Sequence, residues 1–150
     1  MIQRIQTLYL LLVVILGTLL CFFSPIQFLP SEGTAYFSLC MLDKWPLTVM
    51  AVVVPLFALV NIFLFRNRML QARLNVVNAI FSFGQCALIA LYGVFVVKGY
   101  EAIDGMLLAA SEWYLSIWAA IPLVNVVLLM MATRRILKDE ALVRAADRLR

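Results

Sequence analysis

The chain has 150 residues, of which 65% are hydrophobic and only 13% are charged, and its mean hydropathy is +1.03. A soluble domain needs a polar shell, which this number of charged residues cannot supply. The composition therefore excludes an ordinary soluble globular protein. The formal net charge of +4 does not indicate nucleic-acid binding. The basic residues flank apolar runs and form no stripe interleaved with aromatic residues.

Four apolar runs without Asp, Glu, Lys or Arg divide the sequence, over residues 5–23, 45–65, 74–97 and 113–133. A helix rises about 1.5 Å per residue, so each run is long enough to cross a hydrocarbon core of roughly 30 Å. The sequence therefore predicts an all-α membrane protein of one domain, built as an antiparallel bundle of four transmembrane helices.

The first run could pass for a signal peptide, but it is longer than the roughly 7–15-residue apolar region of one, and no A-x-A site follows it. We therefore predict a retained helix. The next loop contains Pro-Ser-Glu-Gly, which is either a turn between extended segments at residues 26–29 and 35–39 or part of an irregular loop. Residues 106–111, in the third loop, are predicted to form a short interfacial helix.

The distribution of basic residues predicts the orientation of the bundle. With the N-terminus inside, ten of the 12 basic residues lie on the inner side, and only Lys44 and Lys98 lie outside. The inner ten are Arg4, Arg66, Arg68, Arg73, Arg134, Arg135, Lys138, Arg144, Arg148 and Arg150. This positive-inside pattern predicts a multi-pass protein of the bacterial inner (cytoplasmic) membrane with both termini in the cytoplasm.

Residues 134–150 contain no Gly or Pro, so the fourth helix is predicted to continue into the cytoplasm as a helical tail. Glu140 and Arg144 form a favourable i,i+4 pair on it. Two interpretations stay open for this tail. It is either a solvated extension that enforces topology, or a helix that docks on a partner or on the anionic inner leaflet.

The amide side chains Asn61, Asn78, Gln85 and Asn125 lie inside the predicted spans. An amide that faces lipid leaves its donors unsatisfied, so these four are predicted to bond between helices; a substrate pathway is the alternative. Five small residues are predicted to form a helix-packing face on span three, namely Ala79, Ser82, Cys86, Ala90 and Gly93. Pro55 and Pro122 are each predicted to kink their helix.

The sequence offers little catalytic chemistry. It contains no His, so neither a metal centre nor a nucleophile–base pair is predicted, and no cofactor is expected. A membrane thiol oxidoreductase that uses Cys21 and Cys40 is one alternative, although no C-x-x-C motif is present. A small-molecule transporter is another, but no predicted span contains the carboxylate that proton-coupled export requires.

Three segments resemble a known family. They are MIQRIQTLYLLL at residues 1–12, NRMLQARL at residues 67–74 and KDEALVRAADRLR at residues 138–150. The chain resembles the domain-of-unknown-function 4293 family, small membrane proteins of Bacteroidota, in which serine is common where Ala145 stands. The resemblance implies a four-helix inner-membrane protein without an assigned activity, and it supplies no catalytic residues.

All three segments fall on the predicted cytoplasmic side. Their polar residues are therefore candidates for one interaction surface: Gln3, Arg4, Gln71, Arg73, Arg144, Asp147 and Arg148. Topology alone does not require the amides or the aspartate. The leading functional prediction is a non-enzymatic interaction or scaffolding protein that engages an unidentified protein partner through its cytoplasmic face.

Overall fold

The structure is a computed structural model that describes residues 3–30, 37–64, 67–97 and 110–148. Its helices are α1 (Gln3–Phe22), α2 (Trp45–Phe63), α3 (Arg68–Val97) and α4 (Ile121–Arg148), with a 3-10 turn at Ile117–Ala120 before α4. Its strands are β1 (Ile26–Pro30), β2 (Phe37–Leu39) and β3 (Ala110–Leu115). As predicted, four helices are long and apolar enough to cross a membrane.

The three strands form one antiparallel sheet in the order β2-β1-β3. The hairpin is confirmed where it is described, since Phe28 of β1 lies opposite Phe37 of β2; residues 35 and 36 are outside the described residues. Strand β3 was not predicted from the sequence. Residues 113–115 were assigned to span four, and Ala110 and Ser111 to a short helix whose residues 106–109 are outside the described part of the chain.

Both assignments were wrong because β1 offers a second edge to the chain. Phe28 pairs with Trp113 across that edge, and the amide of Ser116 donates to the carbonyl of Pro25 at 2.9 Å. Strands favour aromatic residues, and β3 contains Trp113 and Tyr114. The following turn is held by Trp118, whose ring stacks on Phe23 with centroids 3.9 Å apart.

The sheet defines one end of the molecule, the sheet end, because it joins the residues that follow α1, precede α2 and connect α3 to α4. The opposite end, the turn end, contains the short connection from α2 to α3. Here Gln6 of α1 donates a hydrogen bond to the carboxylate of Asp139 of α4. Helix α4 continues unbroken to Arg148, so the predicted helical continuation of span four is confirmed.

Two apolar clusters hold the helices together. The cluster at the sheet end includes Ile26, Phe28, Leu39, Ile89 and Tyr92, all at most 8% exposed. The second cluster lies between α1, α2, α3 and α4. Its buried members are Leu10, Val13, Val54, Ala58, Ala79 and Leu129.

The two prolines have different positions in their helices. Pro55 lies inside α2, and the Ala51 carbonyl that it leaves without its usual helical donor lies 3.7 Å from the Cys21 thiol of α1. Pro122 is the second residue of α4, where its missing N–H breaks no helical bond. The Trp118 carbonyl accepts the N–H of Ile121 instead, so the predicted kink at Pro122 was wrong.

Candidate functional site

A stripe of five polar side chains runs along the buried face of α3. Its members are Gln71, Asn75, Asn78, Ser82 and Gln85, and none is more than 6% exposed. They follow each other at alternating spacings of four and three residues, which places them on one side of a helix. We call this set the polar stripe.

The opposite face of α3 is apolar and exposed. Val76, Ile80 and Phe83 are 42%, 64% and 63% exposed. A helix on the surface of a soluble protein has the reverse arrangement, with polar residues outward and apolar residues inward. Lipid is the solvent that suits an apolar outer face, and buried amides then serve as contacts between helices.

At the turn end the polar stripe fastens α3 to α2. The Asn61 side-chain amide donates to the Gln71 backbone carbonyl at 3.1 Å, and the Gln71 side-chain amide donates to the Asn61 carbonyl at the same distance. The Asn61 amide also donates to the Asn75 side-chain oxygen. Because the last carbonyls of a helix lack intrahelical donors, this reciprocal pair satisfies one at the end of α2.

Further along, the polar stripe reaches both neighbouring helices. Asn78 Nδ2 donates to the carbonyl of Val54 in α2 at 3.1 Å. Ser82 Oγ donates to the carbonyl of Pro122 in α4 at 3.0 Å. Asn125 of α4 is fully buried. Five buried amide atoms have no hydrogen-bond partner among the described residues: Asn61 Oδ1, Asn75 Nδ2, Asn78 Oδ1, and both Nδ2 and Oδ1 of Asn125.

The structure thus supports part of the predicted amide contacts. Asn61 and Asn78 bond between helices as predicted, and Gln85 and Asn125 are buried. The predicted bond of Asn125 is not found among the described residues. Asn75 was not among the predicted amides, and Ser82 was assigned only to a packing face of small residues, so both were missed as hydrogen-bonding residues. The alternating spacing was the available signal.

Gln71 was predicted on the exposed interaction surface, and this was wrong. It is only 6% exposed, because the short turn brings it against the last turn of α2. Arg73 and Arg144 are exposed as that prediction requires. Gln3 and Arg4 lie in α1, and Asp147 and Arg148 lie in α4, but their side chains are outside the part that the structure describes.

A groove of about 490 Å³ opens at the turn end between the start of α3 and the last part of α4. Its lining residues are Asn67, Arg68, Met69, Leu70, Glu140 and Val143. Residues 141–145, which include the lining residue Val143, are all exposed. Arg144 Nε lies 3.1 Å from Glu140 Oε1, so one carboxylate of the groove is already paired with the predicted i,i+4 partner.

The three cysteines are free thiols with separate surroundings. Cys40 Sγ lies 3.0 Å from the Ser24 hydroxyl, whereas Cys21 Sγ lies 3.7 Å from the carbonyls of Gly17 and Ala51. Cys21 and Cys40, the pair considered for thiol chemistry, are therefore not joined in this structure. Among the described residues, no three His, Cys, Asp or Glu side chains are grouped as a metal site.

Comparison with known proteins agrees with the resemblance of the three segments. No curated protein and no solved structure matches the chain. A family model, described as "Domain of unknown function (DUF4293)", matches residues 2–149. Since the match covers almost the whole sequence, the chain belongs to the DUF4293 family.

Proposed function

We propose that this protein is a non-enzymatic interaction or scaffolding protein of the bacterial inner membrane, which engages a protein partner at its turn end. Its four helices cross the bilayer as an antiparallel bundle, and both termini are cytoplasmic. The many exposed large apolar side chains on α1 to α4 support a lipid environment, since water would make such a surface aggregate.

The charges of the two ends support the orientation. Among the side chains that the structure describes, the sheet end carries Lys44 and Asp43. The described basic residues toward the turn end are Arg68, Arg73, Arg134, Arg135, Lys138 and Arg144. Cytoplasmic loops carry the excess of Lys and Arg in membrane proteins, so the turn end belongs on the cytoplasmic side.

The observation that carries the proposed function is the turn-end groove together with the exposed end of α4. The groove combines the apolar side chains of Met69, Leu70 and Val143 with the charges of Arg68 and Glu140. Residues 134–145 contain four basic and two acidic side chains, a net charge of +2. An acidic amphipathic segment of a partner protein would complement both properties.

Site-specific photocrosslinking in native membranes tests this proposal. A photoreactive amino acid at position 143, inside the groove, is expected to give a discrete crosslinked protein. At position 142 it is not, since Leu142 is 56% exposed but does not line the groove. Arg68→Glu should abolish the product at position 143 without changing insertion. Crosslinks to lipid alone, or equal protein crosslinks from both positions, would contradict the proposal.

Two residues of the interaction surface predicted from the sequence, Gln3 and Asp147, provide a second test. Gln3→Ala and Asp147→Ala should leave membrane insertion unchanged and reduce the yield of the crosslinked partner. Gln71→Ala no longer belongs in this set, because that side chain is buried against α2 and its loss would act on the fold. An unchanged yield in both variants would remove Gln3 and Asp147 from the proposed surface.

A further inference from the structure

Two hydrogen bonds fix how α2, α3 and α4 lie beside one another. Asn78 bonds to Val54 of α2, and Ser82 bonds to Pro122 of α4. Helices α3 and α4 run in opposite directions, so a residue three positions after Pro122 lies level with one three positions before Ser82. Asn125 is therefore at the level of Ala79, the residue that follows Asn78 in α3.

This level is within the proposed membrane span. Asn125 is nine residues from Arg134, or about 13 Å along a helix, and Asn78 is five residues from Arg73, or about 7 Å, in a hydrocarbon layer roughly 30 Å thick. The Asn78 oxygen and both polar atoms of Asn125 have no hydrogen-bond partner among the described residues. An amide left unsatisfied at such a depth is strongly destabilising.

The chemistry of these atoms identifies what would satisfy them. Asn125 presents a donor and an acceptor, and Asn78 presents a further acceptor. If the oxygen and nitrogen of either side-chain amide were assigned the other way round, the site would still contain both a donor and an acceptor. A cation would satisfy only the oxygens, whereas water donates and accepts, and buried water typically makes two to four bonds to such groups.

We propose that Asn78 and Asn125 form an internal water site, in which ordered water bridges α3 and α4 within the membrane. The proposal is independent of the turn-end function. Asn78 and Asn125 are at most 1% exposed, and buried residues flank them along the bundle on both sides. The Asn61–Gln71 pair lies toward the turn end, and buried Ile89 and Tyr92 lie toward the sheet end. The water is therefore held as part of the structure.

Water-edited solid-state NMR in lipid bilayers detects such water directly. Polarisation from water should reach the side-chain amides of Asn78 and Asn125 early, at a rate close to that of exposed side chains at the turn end. Buried Ile89 and Leu129 are the matched controls and should build up slowly. Build-up at Asn125 as slow as at Ile89 would overturn the proposal.

The change in melting temperature of Asn125→Leu has opposite signs for a site bridged by water and for a dry site, because in a dry site the leucine removes two unsatisfied polar atoms. If water bridges the site, the leucine leaves the Asn78 oxygen without its bridge, and the melting temperature should fall by about 2–4 °C. Asn78→Leu also removes the bond to Val54, but because both side chains share the water, the double variant should lose less than the two single variants together. A rise in Asn125→Leu alone would overturn the proposal, as would Asn125 NMR shifts that depend on sodium in place of choline, which would indicate a cation.

Discussion

The buried face of α3 has two halves that differ in chemistry. From Gln71 to Gln85 the face is polar, whereas Ile89 and Tyr92 continue the same alternating spacing as apolar residues packed against the sheet-end cluster. On the proposed placement, Asn75 to Gln85 lie within the bilayer and Gln71 lies at its inner edge. Ile89 and Tyr92 lie nearer the outer side, where they pack against sheet residues outside the predicted spans. Apolar burial is driven by water, so it stabilises the sheet end. Within lipid that drive is absent, and hydrogen bonds and close packing must specify the contacts.

The largest expected effect comes from removing apolar volume at the sheet end. Phe28 is 2% exposed within the sheet-end cluster, and Phe28→Ala should cost about 3–5 kcal/mol of unfolding free energy. Phe83→Ala is the matched control, since Phe83 faces outward on α3 at 63% exposure. Thermal unfolding in detergent measures both. Equal losses would show that the two apolar environments do not differ.

A smaller loss is expected in the polar half. Asn61→Leu removes the bonds from its side-chain amide to Gln71 and Asn75, which leaves buried acceptors unpaired. The expected cost is about 1–3 kcal/mol. Gln71→Leu should be coupled to it, so the double variant loses less than the two single variants together. Strict additivity in unfolding experiments would argue against the Asn61–Gln71 pair.

The smallest effect tests close packing without hydrogen bonds. A Cβ on Gly17 would lie 3.2 Å from Cβ of Pro55, whose ring cannot swing aside. Gly17→Ala should therefore lower stability, by about 1 kcal/mol. At Gly84 nothing lies within 4 Å of an added Cβ, so Gly84→Ala should be neutral or stabilising through helix propensity. The same unfolding assay would contradict the close approach of α1 and α2 if both variants behaved alike.

The sequence predicts the helices better than the elements between them. Uncharged apolar runs are a strong local signal, so four membrane-length helices could be expected, although α3 begins at Arg68 and α4 at Ile121 rather than at the limits of those runs. Strand β3 depends on an edge of β1 that is distant in sequence. A run such as Trp113-Tyr114-Leu115 is equally apolar as helix or strand, so only the tertiary pairing decides.

The candidate site was predictable in part. Asn61 and Asn78 were expected to face other helices because lipid cannot satisfy an amide, and that argument holds wherever the partner is a neighbouring helix. Gln71 was assigned to the surface because it lies in a family-resembling segment on the predicted cytoplasmic side. Its burial follows from the geometry of the turn, and the spacing of four residues to Asn75 on the polar stripe was the local signal for it. The groove at Val143 requires two segments far apart in the sequence, so it could not be predicted.

The central claim is that the apolar face of α3 points toward lipid and its polar stripe toward the other helices. Spin labels placed singly at positions 76, 78, 80, 82 and 83 in lipid bilayers test it most directly. Positions 76, 80 and 83 should be relaxed by oxygen, which partitions into lipid, and not by a water-soluble nickel chelate, whereas positions 78 and 82 should be protected from both. Strong relaxation of the labels at positions 80 and 83 by the nickel chelate would contradict the account.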